Sequence, residues 1–278
     1  MTEPTLNPES GFCRLKIDLA YDGTNFAGWA KQPDQRTVQE EIESAISRLV
    51  RNKTDSIVAG RTDAGVHATH QIIHVDVPEI GLEIENFGYL LNRFLAADIR
   101  INSVVEAPPN FHARFSAVNR QYIYKILDGG LQLPPLQRFD VATWFRPLEV
   151  EALNLASAQM LGYRDFAAFC KFREGSTTIR TLTKFQWHRD QSGYLIAEVV
   201  ADAFCYSMVR NLVGAAVCVG EGRYPKEWMA QMLENKVRIS DSYVFPSRGL
   251  TLTSVDYPPN EELLGRISLT LGKRDADF

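Results

Sequence analysis

The chain has no long apolar run, no closely spaced cysteine pair and no surplus of positive charge. The nearest approach to a membrane-spanning stretch, residues 212–220, is too short to cross a bilayer. The first ten residues are polar and acidic, without the basic start or apolar core of a signal peptide. The four cysteines (Cys13, Cys170, Cys205, Cys218) are scattered, with no C-x-x-C spacing. They read as thiols in a reducing compartment, so the expected location is cytoplasmic, with no membrane partner. A formal net charge of −4 argues against a protein that coats nucleic acid indiscriminately, because phosphate neutralisation drives such binding. It leaves room for a local basic surface. Arg114, Arg120 and Lys125 fall in a segment without carboxylates, and Lys171, Arg173, Arg180, Lys184 and Arg189 have only Glu174 among them.

What the sequence does have is regular patterning. Leu15, Ile17, Leu19 and Tyr21 alternate with Arg14, Lys16 and Asp18, as in a half-buried strand. Thr37 and Glu40 have the spacing of a capping box, and Val38, Ile42, Ala45, Ile46 and Leu49 form the apolar stripe of the helix that follows. Strands at 56–59 and 71–77, a helix over 84–97 and a strand at 99–105 complete a β-α-β-β-α-β order. The second part repeats that order with one added helix: a strand over 119–127, a helix continuing through Leu153 and Met160, a hairpin turning at Gln191-Ser192-Gly193, a helix over 206–219, a short helix at 228–233, and a last strand at 250–255. The expected fold is α+β, two ferredoxin-like halves with mainly antiparallel sheets and a central cleft. The expected division is a disordered tail at 1–12, an N-terminal half at 13–110, a C-terminal half at 111–258 and a tail at 259–278.

One stretch stands apart. Gly60-Arg61-Thr62-Asp63-Ala64-Gly65-Val66-His67-Ala68 lies between two apolar runs, with two glycines bracketing a charged pair. Glycine serves where backbone takes a positive φ or lies close against another group. A tight loop on a rigid scaffold would hold the carboxylate of Asp63 at a fixed point, the usual mounting of a catalytic group. Arg61 is placed either to face the same side or to hold phosphate. His67, His70 and His74 lack a zinc-binding spacing and have no cysteine nearby, so no metal is expected.

Four segments, taken in order, carry a resemblance. They are 21–29 (Y-D-G-T-N-F-A-G-W), 60–68 (G-R-T-D-A-G-V-H-A), 111–117 (F-H-A-R-F-S-A) leading into Arg120-Gln121-Tyr122, and 203–214 (A-F-C-Y-S-M-V-R-N-L-V-G). Together they closely resemble the tRNA pseudouridine synthase A family, from about Leu15 to Tyr257. The resemblance implies an isomerase that converts uridine to pseudouridine in the anticodon arm of tRNA, on the 3′ side of the loop and the adjoining stem (tRNA positions 38–40). It implies no metal or organic cofactor, and a homodimer. It implies that Asp63 is the catalytic carboxylate, that Tyr122 packs against the target base, and that Arg210 pairs with the carboxylate. Ala30, Cys205 and Ser207 depart from residues common in the family; none touches the carboxylate chemistry.

The chemistry of the residues agrees with those roles. Breaking a glycosidic bond needs a nucleophile at the sugar, a nucleophile at the base, or a base that removes a sugar proton, and one ionised carboxylate can serve in each. An arginine beside it would keep it ionised. An aromatic face at Tyr122 offsets the cost of unstacking a base. A detached uracil must not escape, so an apolar wall is expected, with Leu250 after Gly249 as its candidate. Two other classes compete. An RNA-binding module would need no carboxylate but would carry an aromatic RNP-type strand motif, which is missing. A glycoside hydrolase would need a second carboxylate paired with Asp63, and no spacing supplies one.

Overall fold

The structure, a computed structural model, describes residues 5–79, 84–171, 177–236 and 244–272. Within them the chain forms two compact units. One runs up to Val118 and takes in Leu252–Gly272; the other is Asn119–Thr251.

The first unit opens with β1 (Phe12–Tyr21), α1 (Val38–Val50), β2 (Ser56–Val58), β3 (His67–Pro78), α2 (Ile84–Phe94) and β4 (Ile99–Glu106). Its strands lie in the order β4-β1-β3, with β2 also on β3, and every one of these pairings is antiparallel. Ile17 faces Ile73 on one side and Val104 on the other, so the alternation in β1 puts its apolar residues into the centre of the sheet. Leu15, Ile17 and Leu19 are fully buried with Val38, Ile42 and Ile46 of α1 and Phe87 and Leu91 of α2.

The α1 stripe is as expected, but its cap is not. The Thr37 hydroxyl is buried and makes no hydrogen bond. The amides of Val38 and Gln39 donate instead to the carbonyls of Gly28 and Trp29, at 3.3 and 3.0 Å. The loop before the helix thus satisfies the orphan amides that a capping box would have taken. Glu43 of α1 is buried on the other flank. It accepts from the Ser56 amide and hydroxyl, both at 2.7 Å, and pairs with Lys31 at 2.5 Å. Burial alone would raise its pKa; those bonds outweigh it, and the carboxyl is held below its usual range. They fasten β2, and so the start of the 59–66 loop, to α1.

The second unit holds β5 (Asn119–Leu127), β6 (Ala142–Thr143), α3 (Val150–Ala158), β7 (Gly162–Asp165), β8 (Ile179–Arg189), β9 (Leu195–Ala201), α4 (Met208–Gly220) and α5 (Trp228–Asn235). The order β5-β9-β8-β7 is antiparallel, and β6 adds a short parallel pairing to β5. The 191–193 turn does join β8 to β9, with Gly193 at φ 87°. β6 and β7 are absent from the sequence reading. They are two and four residues long, too short to show a period. α4 is buried at nearly every position, which suits the Gly214-Ala215-Ala216 run on it.

The chain leaves the second unit within β10 (Leu250–Asp256) and ends the described residues with α6 (Leu263–Leu271). A helix therefore occupies part of what the sequence reads as a tail. Pro258 and Pro259 end the strand, and Leu263 and Ile267, one turn apart, are buried, with Leu263 in a cluster with Ala59, Ile72, Phe111 and Ala113. Residues 5–11 are likewise held: the Arg14 guanidinium donates to the Thr5 and Leu6 carbonyls at 3.2 and 2.8 Å. Cys170 and Cys205 are joined by a disulfide, with Cα atoms 5.8 Å apart; the reading of all four cysteines as thiols is corrected for these two, which a separation of 35 residues concealed. No helix among the described residues is long and apolar enough to cross a membrane.

Candidate active site

The loop that carries Asp63 is shorter than its sequence pattern. His67 and Ala68 already belong to β3, paired with Tyr21 at Ala68, so the loop proper is 59–66. Segment 21–29 braces it at Thr62 and Gly65, and Gln71 braces it at Gly60. The Trp29 amide donates to the Thr62 carbonyl at 3.0 Å, and the Gly65 amide to the Phe26 carbonyl at 3.3 Å. The Tyr21 hydroxyl meets the Thr62 hydroxyl at 2.7 Å. Gln71 donates to that same Tyr21 oxygen at 3.3 Å and to the Gly60 carbonyl at 2.8 Å. Burial pushes the Tyr21 hydroxyl up to about 12, so it stays protonated and able to donate.

Two glycines make this fit possible. A Cβ on Gly28, at φ 101°, would lie 2.9 Å from the Thr62 carbonyl oxygen and 3.1 Å from the Ala64 nitrogen. A Cβ on Gly23 would come within 2.0 Å of the Val66 carbonyl oxygen. Both contacts are to backbone that cannot give way. Beneath them Phe26 and Trp29 are buried, and Trp29 packs at 6.0 Å from the Tyr21 ring. These aromatics form the floor on which the two loops meet. The turn itself closes through the Val66 amide to the Asp63 carbonyl at 3.2 Å. Asp63 is half-exposed at its tip.

Arg61 is exposed and forms no ion pair or hydrogen bond among the described residues. It is not the counter-ion of Asp63. His67 has a structural contact: its Nδ1 lies 3.1 Å from the Gly23 amide, which can only donate to it. Among the described residues there is no group of three or more His, Cys, Asp or Glu side chains arranged to hold a metal ion.

A second organised element in the same unit is the 111–117 segment. His74 Nδ1 accepts from the Ala113 amide at 3.0 Å, and His112 Nδ1 accepts from the Arg114 and Phe115 amides at 3.3 and 3.2 Å. Arg14, buried, clamps Asp76 with two bonds and donates to the Phe111 carbonyl at 2.9 Å. Burial, with Arg14 beside them, holds His74 down to about 2 and His112 down to about 4. Both rings are neutral acceptors at neutral pH. Arg114, exposed, lies over the Phe115 ring, which stacks on His112 at 4.5 Å.

The remaining candidates belong to the second unit. Tyr122 sits on β5 opposite Val199, with its ring meeting Phe204 edge-on at 5.2 Å. Arg210 lies in the first turn of α4 and donates through Nε to the Phe245 carbonyl at 2.7 Å. Leu250 is buried directly after Gly249, whose missing side chain lets the Tyr124 ring and the Lys125 carbonyl approach. Of the basic clusters, Lys125 pairs with Asp140, Lys184 with Glu198 and Arg189 with Asp128, so much of that charge is neutralised within the unit. Residues 172–176 of the second cluster lie outside the described residues.

Sequence reasoning found the loop but missed its supports. Tyr21 reads as one more inward residue of a strand, and Gln71 as a strand start. Phe204 lay inside a recognised segment without a task. The only signal was their company: a tyrosine directly before a glycine-rich loop, and an aromatic before the M-V-R turn.

The model of the tRNA pseudouridine synthase family matches this chain over residues 19–116 and 156–258. Among curated proteins, the tRNA pseudouridine synthase A of Frankia casuarinae is 49% identical over 265 residues, covering 95% of this chain and 96% of that one. Its counterpart in Streptomyces griseus is 50% identical over 264 residues, covering 93% of each. That of Mycobacterium leprae is 43% identical over 277 residues, covering 95% of this chain and 96% of the other.

Proposed function

The chain belongs to the tRNA pseudouridine synthase family, an isomerase family, and on that footing we propose that it converts uridine to pseudouridine in the anticodon stem-loop of tRNA (positions 38–40), with Asp63 as the catalytic carboxylate. The observation that carries the role of Asp63 is its mounting. One carboxylate sits half-exposed on a loop that Tyr21, Phe26, Trp29 and Gln71 hold through four hydrogen bonds. Such preorganisation gives a reacting group its geometry without reorganisation at the moment of reaction.

The reaction balances without an external reactant. The bond between uracil N1 and C1′ of the ribose breaks, and C5 of the turned base bonds to C1′. The proton on C5 leaves and N1 gains one. One ionised carboxylate suffices to start this, as nucleophile or as base, and no metal or organic cofactor takes part in the proposal. Tyr122 would stack on the displaced uracil, and Leu250 would contribute an apolar wall that retains it. Arg210 would supply the positive charge that keeps Asp63 ionised, and Arg61, exposed and uncommitted, would contact an RNA phosphate. A half built as a split β-α-β unit, with strands in the order β4-β1-β3-β2, is in keeping with these roles. A homodimer in the cytoplasm completes the reading.

The test uses unmodified tRNA with tritium on uridine C5. The expected result is release of that tritium to water with pseudouridine mapped to the anticodon arm. Pseudouridine elsewhere in the tRNA would overturn the position, and no product at all would overturn the activity.

A further inference from the structure

We infer that Phe204 is a positioning residue for Tyr122, and that the Cys170–Cys205 disulfide is what fixes Phe204 in place. The inference rests on the proposed role of Tyr122 against the target base and concerns only the second unit.

The Tyr122 ring is buried on one side by an edge-on contact with Phe204, at 5.2 Å between centroids and 89° between planes. Edge-to-face contact sets a ring's tilt as well as its position. Tyr122 is on a strand and is fixed at its backbone by pairing with Val199. Phe204 is not on regular structure. It sits in the 202–207 connection between β9 and α4, half-exposed, so its orientation depends on what holds that connection.

The start is secured at Asp202. Its carboxylate accepts from the Thr181 and Ala203 amides at 3.0 and 2.8 Å, and its carbonyl accepts from Arg120 at 2.6 Å. The end is harder to secure, because Ser207 takes a positive φ of 61° immediately before α4. Hydrogen bonds and a covalent link bind this end to the segment after β7. The Lys171 amide donates to the Tyr206 carbonyl at 3.0 Å. Asn211, buried, donates to the Phe169 carbonyl at 2.8 Å and to the Ser207 carbonyl at 3.0 Å. The covalent link is the Cys170–Cys205 bond, and it attaches at the residue next to Phe204.

A disulfide is unusual in a reducing compartment, and its state there follows the thiol–disulfide balance. A dithiol reverses it in a balanced step. The protein's S–S bond breaks and a ring S–S bond forms in the dithiol. Two electrons pass to the cysteine sulfurs, which take up the two protons. Those hydrogen bonds remain, so reduction frees the Phe204 backbone without unfolding α4. The strength of uracil stacking thereby becomes sensitive to the state of two cysteines.

The test measures single-turnover pseudouridine formation on unmodified tRNA, with tRNA affinity measured separately. Proteins compared are the oxidised chain, the chain reduced with dithiothreitol, Cys205→Ser, Phe204→Ala, Phe204→Leu, Phe204→Tyr and Tyr122→Ala, each assayed below its own thermal unfolding midpoint, where it is fully folded. Phe204→Ala, Phe204→Leu and the reduced chain are expected to lose about tenfold in rate with tRNA affinity within about twofold, the signature of a misplaced reacting group. Phe204→Tyr, which keeps the ring edge, is expected to retain the rate. Cys205→Ser is expected to match the reduced chain and to ignore dithiothreitol. Unchanged rates in Phe204→Ala and Phe204→Leu, with loss in Tyr122→Ala, would overturn this inference and leave the role of Tyr122 standing. An unchanged rate in Tyr122→Ala would overturn that role itself. Equal rates for oxidised and reduced chains would overturn the part assigned to the disulfide.

Discussion

The hydroxyl of Tyr21 meets the hydroxyl of Thr62 at 2.7 Å, one residue before the carboxylate proposed to do the chemistry. Gln71 donates to the same tyrosine oxygen, so β1, the 59–66 loop and β3 converge on one buried atom. Tyr21→Phe removes that atom and keeps the ring on Trp29. The lost bond costs about 1 kcal/mol of stability. The catalytic cost is expected to be larger, on the order of tenfold in rate, because the loop then samples positions in which Asp63 is misplaced. Single-turnover rate beside tRNA affinity checks it: the rate falls and affinity holds.

The glycines of the 21–29 segment give a second expectation. Gly28→Ala forces a Cβ to 2.9 Å from the Thr62 carbonyl oxygen at a positive φ, so the two loops must separate. A loss of about 2–3 kcal/mol is expected, with activity falling alongside. Gly193→Ala is the control. It also has a positive φ, but no atom lies within 4 Å of its added Cβ, so only the conformational cost of about 1 kcal/mol applies. Urea unfolding of the two variants separates crowding from strain.

Acid sensitivity is expected from the histidines beneath the 111–117 segment. Burial and Arg14 hold His74 to about 2 and His112 to about 4, below the ordinary histidine value. In the unfolded chain both take a proton as pH falls through about 6.5. The folded chain does not, so protons bind the unfolded state and stability falls. The stability is fully present above the unfolded value and declines from there toward pH 4, by about 3 kcal/mol for His112 alone. His112→Asn cannot be protonated and keeps an acceptor near Nδ1. Its stability is expected to vary less between pH 7 and pH 4.5 in urea unfolding; an identical slope would show that His112 is not the source.

Much of this was legible in the sequence, and the limits were physical. β1 is readable because its alternation is driven by one buried face, and α1 because Val38, Ile42, Ala45 and Ile46 share one side. The Asp63 loop is readable because glycines mark the places where backbone meets backbone. The cap of α1 is not, since the Gly28 and Trp29 carbonyls that replace Thr37 come from tertiary folding of a loop. Nor is the Tyr21–Thr62 bond, between residues 41 apart whose types fit a strand and a turn equally well. The pairing of Cys170 with Cys205 and the seating of α6 on Leu263 and Ile267 likewise depend on where distant segments meet. The question of Arg61 was posed by the sequence and answered by the fold: it stands two residues from Asp63 yet forms no ion pair among the described residues.

The central claim is that Asp63 carries the chemistry, and Asp63→Ala tests it most directly. Both proteins are incubated with unmodified tRNA at saturating enzyme, and tritium released from uridine C5 is followed with binding measured in parallel. The expected result is full release by the natural chain, none above background by the variant, and tRNA affinity alike in the two. Tritium release by Asp63→Ala at a rate comparable to the natural chain would contradict the account.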